Sequence, residues 1–172
     1  DENDYGEYSR IQLCYGLLQS GFNYPGISVF QKLCFLKFAL SLPYVDKERL
    51  AVSGHSLGCT DALFMALICD EIKAVVFNDY VCNCKNEYTA ITEEDEKKMA
   101  QNRGNWHQIP GVFRYFDRPD LLAALAPKYL TMNEGGAEEN TSKVLRAYEA
   151  AGALDKVFLS YYPIFPLSKQ RF

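Results

Sequence analysis

The chain has 172 residues, 48% of them hydrophobic, and a formal net charge of −4. This is one domain's worth of chain, with apolar content enough for a sizeable core. The acidic balance and the lack of a basic cluster exclude a nucleic-acid surface, because a phosphate backbone would find little to hold it. No charged-then-apolar leader opens the sequence. Its longest apolar stretch, Val29 to Leu42, is interrupted by Gln31, Lys32, Lys37 and Ser41, which is the pattern of a buried helix and not of a membrane span.

In chain order, Asp1 to Tyr8 is acidic, has no apolar period and reads as a loose end or as a cut through a longer chain. Ser9 to Gln19 carries Ile11, Leu13, Cys14, Leu17 and Leu18, the spacing of a short helix ended by Gly21. Phe22 to Gly26 reads as a turn on the strength of Pro25-Gly26, and Ile27 to Ser41 as a long apolar helix stopped by Pro43. Lys73 to Asp79 is a β-branched run suited to a strand buried on both faces. Residues 80–119 form a polar and aromatic excursion of the kind used as a lid or substrate wall, with a solvated helix at Glu93 to Asn102. A short helix at Asp120 to Leu125, a strand at Lys128 to Asn133, an amphipathic helix at Thr141 to Ala151 and a strand signal at Val157 to Phe165 complete the chain. Strands alternating with helices imply a parallel sheet with right-handed crossovers, whose ligands bind outside the carboxyl ends of the strands.

The six cysteines, Cys14, Cys34, Cys59, Cys69, Cys82 and Cys84, stand mostly in apolar runs and read as reduced core thiols. Cys82-Asn83-Cys84 has no second Cys pair or nearby His to complete four zinc ligands, so no metal is expected.

The chemistry concentrates in Leu50-Ala51-Val52-Ser53-Gly54-His55-Ser56-Leu57-Gly58, an apolar run ending in Gly-x-Ser-x-Gly and opening into helical spacing at Ala62, Leu63, Ala66 and Leu67. It reads as a nucleophile elbow. The tight strand-to-helix turn requires Gly54 and Gly58 to lack side chains, holds Ser56 in strained backbone with its Oγ exposed, and turns the N–H of Leu57 toward a developing oxyanion. A Ser-activating base must be an imidazole, and the chain has only His55, inside the turn, and His107, in the excursion. Consecutive side chains diverge at such a turn, so His55 is expected to pack beside it and line the substrate site. Trp106, Phe113, Tyr115 and Phe116 are the aromatic candidates for lining an acyl or sugar site, although packing alone would also account for them.

Residues 46–58, then Ile72-Lys73-Ala74-Val75-Val76, then Tyr115 to Pro127 and Asn133-Glu134-Gly135-Gly136, together resemble the α/β-hydrolase superfamily. The likeness is to its dienelactone-hydrolase-like proteins and acetyl xylan esterases associated with polysaccharide use, and it runs from about Gly26 to Phe165. The resemblance implies a three-layer α/β sheet with helices on both faces, in a single domain spanning 1–172. It implies a serine esterase acting on small-molecule or carbohydrate esters with no cofactor, nucleic acid or membrane partner. Relatives are often exported, which implies an extracytoplasmic setting. The nucleophile maps onto Ser56 and the acid onto Glu138, with Asp79 the alternative acid position. The family's base follows the last strand, where residues 166–172 hold no His; His107 is the alternative base, against the family's chain order. The family's early strands and oxyanion loop also have no counterpart here, and Cys59 replaces a Gly after the motif. The chain is therefore expected to be a fragment of a larger esterase, prone to homo-oligomers, and a second reading is a hydrolase-fold module that binds a glycan or partner protein without turnover.

Overall fold

The structure, a computed structural model, describes residues 2–78, 108–133 and 138–160. Among the described residues, two helices are followed by strands alternating with helices: α1 (Glu2–Gln19), α2 (Tyr24–Leu40), β1 (Leu50–His55), α3 (Leu57–Ile68), β2 (Ile72–Asn78), α4 (Arg118–Ala123), β3 (Tyr129–Asn133), α5 (Glu138–Ala150) and β4 (Val157–Ser160). The strands form one all-parallel sheet in the order β1-β2-β3-β4. The expected α/β-hydrolase-type sheet is the one that forms.

Local chemistry moved several boundaries from where the sequence placed them. The acidic start is helical and not a loose end over Glu2 to Tyr8: α1 runs unbroken from Glu2. Its stop is as expected at Gly21, in the left-handed region at φ 78°, with Phe22 N–H donating to the Leu17 carbonyl and Gly21 N–H to that of Leu18. Pro25-Gly26 lies inside α2 and not in a turn. Asn23 caps that helix by accepting from Gly26 N–H at 2.8 Å, and Pro25 sits in the first turn, where a missing N–H costs nothing. Similarly α4 begins at Arg118, because Asp117 and Asp120 form a reciprocal capping box around its first turn. The expected helix at Glu93 to Asn102, the Cys82–Cys84 pair and the end of the last strand lie outside the described residues.

The core lies on one face of the sheet. Val75 and Phe77 of β2 and Leu130 and Met132 of β3 are buried there against Ala62, Leu63 and Ala66 of α3 and Val144 and Tyr148 of α5. Lys128 ties this layer together. Its ammonium donates to the orphan carbonyls of Ala66 and Cys69 at the end of α3, at 2.6 and 2.9 Å, while its own carbonyl accepts from the Tyr148 hydroxyl at 2.8 Å. Burial pushes the Tyr148 phenol well above its ordinary range.

The opposite face is less covered than the β2 run suggested. Ala51, Ser53 and His55 are exposed, Ala74, Val76 and Thr131 are half-buried, and Tyr129 and Phe158 are more than half exposed. The apolar α2 is likewise buried along one side only: Pro25, Ser28 and Val29 face inward, whereas Phe30, Phe35 and Phe38 are exposed. Among the described cysteines all four are free; Cys14 and Cys59 are buried as expected, Cys69 is half-buried, and Cys34 is exposed on α2 and not in the core. Burial pushes the thiols of Cys14 and Cys69 up. No helix among the described residues is long and apolar enough to cross a membrane, and none of them form a cluster able to hold a metal.

Candidate active site

Ser56 lies between the last residue of β1 and the first of α3, at φ 51° and ψ −119°; among the described residues it is the only non-glycine at positive φ. Such backbone costs about 1–3 kcal/mol and persists only where its surroundings over-determine it. Here they do. Ser56 N–H donates to the Asn78 carbonyl at 3.3 Å, and Cys59 N–H to the Ser56 carbonyl at 3.0 Å. The buried Cys59 thiol reaches the carbonyls of Gly54 and Asn78, at 3.3 and 3.5 Å, so the residue that departs from the family pattern joins the strand, the turn and the neighbouring strand. The Ser56 side chain caps nothing and the residue is exposed.

The two glycines have different reasons. A Cβ on Gly54 would stand 2.2 Å from the Gly58 carbonyl oxygen and 2.6 Å from Cys59 N, so no side chain fits. A Cβ on Gly58 would meet nothing within 4 Å. The space requirement expected of both therefore holds for Gly54 alone; Gly58 contributes the backbone that crowds it.

Leu57 is the first residue of α3, whose first-turn N–H groups have no partner inside the helix and carry the positive end of its dipole. Ser56 N–H, by contrast, is taken by the Asn78 carbonyl.

The four strands end in register at His55, Asn78, Asn133 and Ser160, a polar row along the carboxyl edge of the sheet. Within it the Asn133 side-chain amide donates to Asn78 Oδ1 at 3.1 Å. Asn78 thus holds the Ser56 turn through its backbone and β3 through its side chain. Sequence reasoning missed both asparagines, although a polar residue closing each of two apolar strands was the available signal. β3 leads toward α5, which Glu138 opens. Asp79, Trp106 and His107 lie outside the described residues, and Tyr115 is 81% exposed.

Beside the turn is a cavity of about 420 Å³. Thr60, Leu63 and Phe64 of α3 form one wall, Leu18 of α1 and Leu121 of α4 contribute to others, and residues 108–118 close it, with Phe113 and Phe116 but without Tyr115. Ser56 immediately precedes α3 and is not in the cavity wall; Thr60, four residues on, is the lining residue of α3 nearest to it in the chain.

Comparison with known proteins accords with this architecture. The chain is similar to the crystal structure of a candidate acetyl xylan esterase from Bacteroides fragilis, at 28% identity and a TM-score of 0.80, over 93% of this chain and 41% of the other. It also matches a methylesterase (17% identity, TM-score 0.58, 83% of this chain and 32% of the other). A glucuronoyl esterase of carbohydrate esterase family 15 from Caldicellulosiruptor kristjansonii matches at 17% identity and a TM-score of 0.51, over 70% of this chain and 39% of that one. These last two speak to the fold alone. The chain thus spans less than half the length of each of these three solved proteins. No curated protein matches it. A family model matches residues 1–172, the whole of the sequence, and the chain belongs to the Abhydrolase family.

Proposed function

We propose that the protein is a serine hydrolase of carboxylic esters with Ser56 as nucleophile. The observation that carries this reading is the strained, over-determined backbone of Ser56, whose side chain is spent on no structural bond at the N-terminus of α3. In the proposed reaction Ser56 Oγ attacks the ester carbonyl and passes its proton to an imidazole. Leu57 N–H accommodates the oxyanion, the alcohol departs with a proton, and water hydrolyses the acyl-enzyme. Glu138, at the start of α5 beyond the carboxyl edge of the sheet, orients that imidazole, with Asp79 the alternative acid. The imidazole is His107 or one supplied from beyond these residues; His55 lines the substrate site. The likeness to the candidate acetyl xylan esterase supports esters of carbohydrates as substrates.

The test is labelling with a fluorophosphonate, which reacts only with an activated Ser, read by intact mass. One adduct at Ser56 is expected, absent from Ser56→Ala and reduced at least tenfold in Glu138→Ala. An adduct that persists in a folded Ser56→Ala protein removes Ser56 from the reaction. The second reading, a module that binds a glycan or partner protein without turnover, draws on the position of His55. It is the sole imidazole among the described residues and directly precedes Ser56, and consecutive side chains are expected to diverge at such a turn. A folded protein that stays unlabelled yet melts higher with a xylan oligosaccharide would select it.

A further inference from the structure

We propose that the cavity beside α3 receives the acyl chain of the ester, and that the chain is an apolar one several carbons longer than acetyl. The proposal rests on Ser56 being the nucleophile. Thr60, Leu63 and Phe64 follow one another at the spacing of a single helix face, and Ser56 immediately precedes α3, so the cavity begins four residues, about 6 Å of helix, beyond the attacking residue. An acyl group whose carbonyl lies at Ser56 has this face as its continuation.

The lining decides which half of the ester enters. Leu63, Phe64, Val112, Phe113, Phe116 and Leu121 present hydrocarbon. Of its polar residues, the Asp117 carboxylate accepts from Arg118 N–H in the cap of α4 and is already used there, Thr60 is buried on α3, Arg118 is half-buried, and Gln108 and Arg114 are exposed at its rim. A sugar in this space would surrender the hydration of several hydroxyls and find few partners, whereas a hydrocarbon chain surrenders none. The leaving alcohol therefore stays at the open carboxyl edge of the sheet, among His55, Asn78 and Asn133, and the acyl chain goes inward.

Size points the same way. At about 420 Å³ the cavity is within the range of sites for whole small ligands, ~300–1,000 Å³, and an acetyl group would leave most of it unfilled. Each added methylene that enters gains about 0.8 kcal/mol, which converts to about fourfold in binding or in second-order rate until the space is full.

Two measurements on this chain separate the cavity from the nucleophile. The first is titration with straight-chain methyl ketones of increasing length, followed by amide chemical shifts. Affinity is expected to rise about fourfold per methylene, with shifts centred on Leu63, Phe64 and Val112. Val112→Trp and Leu121→Trp fill the space from two different walls, and each folded variant should weaken the longest ketone at least tenfold. Affinity that ignores chain length, or that survives both substitutions in folded protein, overturns the proposal. The second is the rate of Ser56 labelling by alkyl fluorophosphonates of increasing length, expected to rise with the chain and to lose that dependence in the Trp variants. Labelling of Ser56 without chain preference overturns the acyl assignment while leaving the nucleophile. Chain-graded ketone binding with Ser56 unlabelled by every probe removes the nucleophile and the acyl assignment with it, leaving an apolar ligand site.

Discussion

At the scale of single residues, the turn at Ser56 works because one contact leaves no alternative. With the Gly58 carbonyl 2.2 Å from where a Gly54 Cβ would be, no side chain fits there without separating β1 from the start of α3. Gly54→Ala should therefore destabilise the protein by about 1–3 kcal/mol, the range of strain for an overpacked site. Gly58→Ala, in open space at the start of a helix, should be neutral or stabilising by up to about 1 kcal/mol. Denaturant midpoints of the two variants check this; equal losses in both would mean that the glycines share one steric role. The motif made Ser56 and Gly54 legible, because close backbone approach dictates residue type there. It could not separate Gly58 from Gly54, since the conflict lies between one glycine's missing Cβ and the other's carbonyl. Nor could it show that Cys59, read as a departure, donates across the turn to Gly54 and Asn78.

At the scale of elements, capping and cross-links between helices set what periodicity left open. Hydrophobic spacing placed α3, β2, β3 and α5 to within a few residues, because their apolar positions are spent on one shared core. It missed the entry to α2 because Asn23 and Pro25 act through a side-chain cap and a fixed φ, and the sequence alone offers the same dipeptide to a turn. Between α2 and α3, Asp61 is buried and accepts from Ser28 at 2.9 Å while pairing with Lys32 at 2.8 Å, a polar clamp that no periodicity announces. α4 gives a pH-dependent case. Lys143 of α5 hydrogen-bonds Asp120, which also accepts from Asp117 N–H, and the ammonium first, then the backbone donor, hold its carboxyl below the usual carboxylate range. A lowered value means stability that is present above the unfolded value, about 3.9, and lost as pH falls through the folded one. Asp120 is about one-third exposed, so solvent screens the pair, and Asp120→Asn should cost only about 0.5–1 kcal/mol at neutral pH. Denaturant midpoints taken from neutral to strongly acid pH should converge between variant and wild type at the acid end; a constant gap would show that the loss is not one of charge.

At the scale of the whole molecule, a parallel sheet ordinarily has helices on both faces, because its strands are apolar on both. Here β2 and β3 bury Val75, Phe77, Leu130 and Met132 on one side, while Tyr129 (51%) and Phe158 (58%) stand well exposed on the other. Phe158 is in register with Thr131, next but one to Tyr129, so the two rings share a face and belong to one surface. On α2, Phe35 (69%) and Phe38 (60%) add a second apolar surface with ring centroids 6.4 Å apart. Surfaces of this kind seek cover in water. The isolated chain should therefore self-associate, and sedimentation equilibrium should give an average mass that rises above the monomer's with concentration. Phe35→Lys and Phe158→Lys lie on different surfaces and each leaves the buried core untouched, so the variant that restores the monomer identifies which surface carries the contact. A monomer at every concentration in the wild type would show that these rings tolerate water as they stand. A monomer in neither variant would place the contact elsewhere, with β1, an edge strand among the described residues, the next surface to block.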